Sequence, residues 1–415
     1  MKKAILEYAR EEYAKYGVDI DKAMERVSKI PVSIHCWQGD DIEGFMNNKA
    51  DGGGIQTTGS YPYSARGFDQ LTADFDEVLR LTPGVKRINL HAIYAVTDGE
   101  VSLDNLTIEH FRPWLEWARV RGVKIDFNPT LFGHEKVKDG LTLSSPDEET
   151  RRFWIRCVQA TRKIASEIGK EQGSPCLHNL WIADGFKDTP SDRLTPRLRL
   201  KASLDEIYSV AYPQKYIIDS VESKVFGIGV ESYTVGSSEF YQAYSAKSGV
   251  CALLDNGHFH PQEFVSDKIP SLLAFYDKVA LHVTRGVRWD SDHVVILDDE
   301  TKEIATEIIR NNADERVLIG LDYFDASINR VLAWVTGARN MQKALLYATL
   351  QPHEEMKRLQ DEADYGAVLA LKEEIKELPF GIVWNAYCAQ QGVPTGREVY
   401  ERIKKYEDGV KAERS

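Results

Sequence analysis

Eight short apolar runs recur along this 415-residue chain, and most of the stretches between them are apolar at three- and four-residue steps. That alternation constrains the fold more than any other feature. The runs are PVSIHCWQ (31–38), VKRINLHAIY (85–94), VKIDFNPT (123–130), NLWIAD (179–184), KYIIDSVESK (215–224), GVCALLDNG (249–257), KVALHVTRG (278–286) and RVLIGLDYFD (316–325). Stretches such as LTADFDEVLRL (71–81) and EHFRPWLEWARVRG (109–122) carry the period of amphipathic helices. Strands alternating with helices pair in parallel, and eight of them close into a (β/α)8 barrel. An open doubly wound sheet is the alternative.

The ends of the runs favour the barrel. Most finish in polar or reactive residues: His35, His91, Asn128, Asp184, Glu222, Asp255, His282 and Asp322. A barrel gathers such residues at its C-terminal mouth, where active sites of this fold are built, whereas an open sheet strings them along a line. The expected organisation is an N-terminal helix (1–30), a barrel catalytic domain (31–340) and a helical C-terminal extension (341–415). In that extension YGAVLALKEEI (365–375) carries an apolar stripe that a monomer would leave partly exposed, which points to self-association.

A net charge of −12 argues against nucleic acid and against an anionic membrane surface. The first residues, MKKAILEYAREEYAKYG, alternate charges and lack the apolar core of a signal peptide, and no run is long enough to cross a bilayer. Five scattered cysteines without CxxC spacing favour reduced thiols and a cytoplasmic setting.

The chemistry concentrates late in the chain. Glu222 ends the fifth run, Asp255 and His258 the sixth, His282 lies in the seventh, Asp290 and Asp292 follow in RWDSDH, and Asp322 ends the eighth. Five carboxylates converging on one mouth with two imidazoles would repel too strongly to ionise together without cations. Oxygen-rich ligation with a little imidazole suits Mn2+, Mg2+ or Co2+ better than a structural zinc, and two ions fit the ligand count better than one. His260 and His293 read as core histidines, and Asp298 and Asp299 as a solvated turn.

Four of these segments, VESK (221–224), LDNGHFHPQE (254–263), WDSDH (289–293) and GLDYF (320–324), resemble the L-rhamnose isomerase family in order and spacing. The opening stretch (34–67) and INLHAIYA (88–95) are similar to it as well. The resemblance implies a barrel of the xylose-isomerase-like type, two divalent metals (Mn2+ foremost, with Co2+, Mg2+ or Zn2+ as alternatives) and aldose–ketose interconversion of L-rhamnose and related aldoses. It also implies a homotetramer. Carried over by residue, it puts Glu222, Asp255, His282 and Asp322 on a first metal. His258, Asp290 and Asp292 hold a second, catalytic one, with Asp255 bridging. Lys224 would polarise the substrate carbonyl, His91, Phe132 and Trp181 would line the sugar site, and Ile93 would meet the C6 methyl group of a 6-deoxy sugar.

Such a reaction moves one hydrogen between C1 and C2, as a metal-assisted hydride shift or through an enediol. The glycine-rich DGGGIQTTGS (51–60) lacks the lysine of a phosphate loop and reads as a mobile lid. Two rivals remain. A metal-dependent phosphoesterase on a related barrel would want basic residues at the mouth, and a non-catalytic sugar-binding barrel would not need a second metal.

Overall fold

The computed structural model describes residues 3–46, 57–225, 232–287 and 289–414, without the side chains of 289–291. Eight parallel strands close into a barrel: β1 (Val32–His35), β2 (Lys86–His91), β3 (Lys124–Asn128), β4 (Cys176–Leu180), β5 (Ile217–Glu222), β6 (Cys251–Asp255), β7 (Val279–Val283) and β8 (Val317–Leu321). The ring closes where Val32 to Ile34 of β1 register with Ile319 to Leu321 of β8. Each strand is followed by a helix before the next begins or the chain moves on. These helices are Phe68–Leu81, Arg112–Arg121, Glu148–Gln172, Thr195–Ile207, Ser238–Ser248, Val265–Leu273, Asp299–Arg310 and Arg330–Thr349. The eightfold alternation in the sequence is therefore the barrel itself.

Alternation along each strand sorts the apolar residues into two cores. The larger lies between sheet and helices and takes Ile34, Ile88, Leu90, Ile125 and Phe127. A small second core of Leu177, Cys251, Leu253 and Ala280 plugs the barrel interior. Residues of the same parity as that plug, further along their strands, emerge at the C-terminal mouth. They include Asn179, Asp255 and His282. Gly320 of β8 leaves room for one of them: a Cβ there would stand 2.9 Å from His282 Cδ2.

The fourth run departs from the expectation. The strand is Cys176–Leu180, so Trp181 to Asp184 lie beyond it. Trp181 is apolar because it lines the cavity at the barrel mouth, and an apolar run cannot by its pattern distinguish that from an extended strand. Asp184 is not at the mouth. It is fully buried and accepts from the Thr142 and Ser144 amides (2.8 and 3.0 Å) and from both hydroxyls, pinning that loop.

The N-terminal region forms two helices, Lys3–Ala14 and Ile20–Val27, the second packed on Arg330–Thr349. That last barrel helix runs unbroken across residue 340. Beyond it come His353–Asp361, Tyr365–Glu374, Phe380–Gln390 and Arg397–Arg414. The third of these packs on Lys3–Ala14, so the two ends of the chain meet. Helix Tyr365–Glu374 buries no residue, and its Tyr365 and Leu369 are 66% and 64% exposed. All five cysteines are buried and unbridged. Among the described residues no helix is long and apolar enough to cross a membrane.

Candidate metal centre

Three groups of ligand atoms meet at the mouth, two of which share Asp255; the third is His35, His282 and Asp322. Glu222, Asp255, His282 and Asp322 each offer an atom within 4.8 Å of the others, and so do Asp255, His258 and Asp292. Asp255 belongs to both, as expected of a bridge. Asp290 lies in the hairpin strand Trp289–His293, and its side chain is outside the described residues. Of the first group every member is buried, Asp255 completely.

The donor set fits cations. Asp255 Oδ2 and Asp322 Oδ1 are buried without a hydrogen-bond partner, as are both ring nitrogens of His282. His282 Nδ1 nevertheless stands 3.1 Å from Glu222 Oε2 and 3.1 Å from Asp322 Oδ2, too far off line to hydrogen-bond either. Nitrogen and oxygens converging on a shared point, rather than on one another, is the arrangement of ligands around an ion. His258 Nδ1 is likewise 3.0 Å from Glu222 Oε1.

Charge leads to the same conclusion. Burial, reinforced by Glu222 and Asp322, pushes Asp255 up to about 8 against the pull of His258. Burial would raise Glu222 as well, but His282 and His258 hold it below the usual carboxylate range. His282 is disfavoured as a cation by burial, yet Glu222 and Asp322 lift it well above an ordinary imidazole. The compensation these residues offer one another is a proton, and a divalent ion supplies the same charge without it.

Around the groups lies a narrow cavity. His91, Phe132 and Trp181 line it, as the resemblance implies, together with His258, His282, Asp292 and Asp322. Phe132 and Trp181 meet edge to face at 5.8 Å between ring centres. Lys224 is buried, with Nζ 5.8 Å from the centre of the Trp181 ring. Ile93 is not among the lining residues. It is 3% exposed beneath residues 44–46: its carbonyl accepts from the Phe45 amide at 2.8 Å, and a Cβ on Gly44 would meet its Cδ1 at 2.8 Å.

Two expectations are corrected here. His260 is exposed rather than in the core, because the chain has left the barrel in a turn by that point, and His293 is only half-buried. The glycine-rich stretch falls largely outside the described residues, since 47–56 are not among them.

Sequence reasoning gave no site role to Trp37, Asn179 or Phe324, which also line the cavity. Trp37 stacks on His91 at 4.1 Å between centres, and Asn179 Nδ2 donates to Glu222. The signal for Asn179 was present in a strand misplaced by three residues. Trp37 and Phe324 follow their strand ends by two and three residues, positions that carry no distinguishing pattern.

The L-rhamnose isomerase (RhaA) family model matches residues 1–414. L-rhamnose isomerase of Salmonella paratyphi B (strain ATCC BAA-1250 / SPB7) is 50% identical over 410 residues, covering 99% of this chain and 98% of that protein. That of Salmonella agona (strain SL483) aligns with the same identity and coverage. Among solved structures, L-ribulose 3-epimerase covers 79% of this chain and 97% of its own, at 11% identity and a TM-score of 0.49. A family match over nearly the whole chain, with relatives 50% identical over 99% of it, leads to one conclusion: the chain belongs to the L-rhamnose isomerase family.

Proposed function

We propose that the protein is an aldose–ketose isomerase converting L-rhamnose to L-rhamnulose with two divalent cations, Mn2+ foremost. The observation that carries this reading is Asp255 shared between two ligand groups whose other members line an aromatic-walled cavity. Glu222, Asp255, His282 and Asp322 would hold one ion, and His258, Asp290 and Asp292, with Asp255, the other. When bound, the ions act as Lewis acids that polarise neighbouring oxygens of the sugar.

The protein's own groups do the rest. Phe132 and Trp181 present flat apolar walls that exclude water, so charges in the cavity act at low dielectric. Lys224 stands beside Trp181, where its amino group is placed to oppose negative charge growing on the substrate carbonyl oxygen. The exposed Tyr365 and Leu369 support self-association, for which we propose a tetramer, and the five buried thiols support a cytoplasmic setting.

The experiment is ketose formation from L-rhamnose with added Mn2+, beside L-mannose and a phosphodiester. Conversion of L-rhamnose that chelation abolishes and Mn2+ restores is expected. Phosphodiester cleavage without isomerisation would replace this reading with the phosphoesterase one.

A further inference from the structure

Asn128 ends β3 with its amide between two imidazoles. Its Nδ2 lies 3.0 Å from His91 Nε2 and 3.3 Å from His35 Nε2. On the other side of His35, Nδ1 lies 2.8 Å from the Leu321 carbonyl oxygen. A carbonyl oxygen only accepts, so His35 Nδ1 carries a hydrogen, and in the neutral ring Nε2 is then an acceptor. His35 Nε2 also stands 3.7 Å from Asp322 Oδ2, beyond hydrogen-bond distance, and the His282 ring centre lies 4.7 Å away.

An acceptor nitrogen can bond the Asn128 NH2 but not its oxygen. The amide therefore turns its nitrogen toward both rings, giving one hydrogen to His35 and the other to His91. His91 Nε2 then accepts too, and the ring hydrogen of His91 sits on Nδ1. Each polarity follows from the one before it, beginning at a backbone carbonyl of β8.

Two polar atoms are left over. His91 Nδ1, now a donor, and Asn128 Oδ1, an acceptor, are buried without hydrogen-bond partners. Both residues line the cavity, and they are 4% and 3% exposed. A sugar hydroxyl both donates and accepts. We propose that Asn128 is a substrate-binding, specificity-determining residue: its Oδ1 accepts from one hydroxyl of the bound sugar while His91 Nδ1–H donates to the sugar. His35 is the positioning residue that transmits the required polarity from the Leu321 carbonyl.

The inference deepens the isomerase reading and rests on it for the identity of the ligand. The ring tautomers, by contrast, can be read without any substrate. Protein labelled with 15N-histidine and loaded with diamagnetic Mg2+ should show His35 and His91 both as neutral Nδ1–H rings. A His91 ring protonated on Nε2, or a doubly protonated His35, overturns the relay. Asn128→Asp replaces the donating NH2 with an oxygen that cannot donate, so it should move the His91 hydrogen to Nε2. An unchanged His91 spectrum in that variant also overturns the relay.

The sugar contact has its own test. kcat/KM is compared for L-rhamnose and for monodeoxy analogues lacking one hydroxyl away from the reacting carbons, in the parent and in Asn128→Ala. At least one analogue should lose about tenfold to a hundredfold in the parent, because it leaves a buried acceptor unpaired. That loss should shrink toward none in Asn128→Ala. Equal losses in both proteins for every analogue would mean that Oδ1 meets only water. A parent enzyme that turns over no aldose sinks the isomerase reading instead, with the tautomers still deciding the relay.

Discussion

Replacing Asp255 by asparagine should stabilise the metal-free protein and yet destroy its response to metal. Burial, with Glu222 and Asp322, pushes this carboxyl up to about 8 from its ordinary 3.8. Between those values the fold keeps a proton that the unfolded chain has released. The stability tied to Asp255 is therefore complete below the unfolded value and is lost as pH rises through about 8. By pH 7 the loss spans about three pH units, at most about 4 kcal/mol at about 1.4 kcal/mol per unit. Asparagine is neutral and of the same shape, and its oxygen can still accept from the Gly257 amide that Asp255 Oδ1 meets at 2.6 Å. Metal-free Asp255→Asn should thus melt above the metal-free parent at pH 7, and the two should converge near pH 4. Added Mn2+ should reverse the order, since an amide brings no charge to share between two ions. Thermal denaturation at both pH values, with and without Mn2+, reads all of this. A metal-free variant less stable than the parent at pH 7 would refute the argument from desolvation. A variant that gains as much from Mn2+ as the parent would refute the bridge.

Three further perturbations follow from the same geometry. His258→Ala and Asp292→Asn leave the first ligand group intact, so both should fold normally while kcat falls by at least about 100-fold; near-parental turnover in either excludes that residue from catalysis. Gly320→Ala puts a methyl group 2.9 Å from His282 Cδ2, and relieving it should cost about 1–3 kcal/mol and weaken Mn2+ binding in calorimetry. Equal affinities would show that the ring is not held by β8. Leu369→Glu alters a side chain 64% exposed in the single chain, so it should leave the barrel intact and lower the mass seen by light scattering. An unchanged mass removes Tyr365–Glu374 from the interface.

The barrel was legible because each signal is local. Whether a run alternates every two residues or every 3.6 depends only on its own side chains, and all eight strands lie in or overlap the runs. The fourth was displaced because Trp181 and Ile182 are apolar for a different reason: Trp181 walls the cavity and Ile182 is buried beyond the strand end. The metal centre was legible through its charge, since carboxylates that end several strands of a barrel must share one mouth. Asp184 met the same criterion and failed it, because four hydrogen bonds from Thr142 and Ser144 satisfy its carboxylate elsewhere.

By itself, then, the sequence determined the number of strand–helix units and the kind of chemistry at their ends. Periodicity and the cost of burying a charge belong to each segment wherever it lies. Tertiary structure alone decided which charges share an ion, placing Asp255 in both groups. It also decided the polarity of the neutral wall, where Asn128 meets a histidine 93 residues away and that histidine a carbonyl 286 residues away. A hydrogen bond's direction is set by its partner, and these partners come from strands that only closure of the barrel brings together.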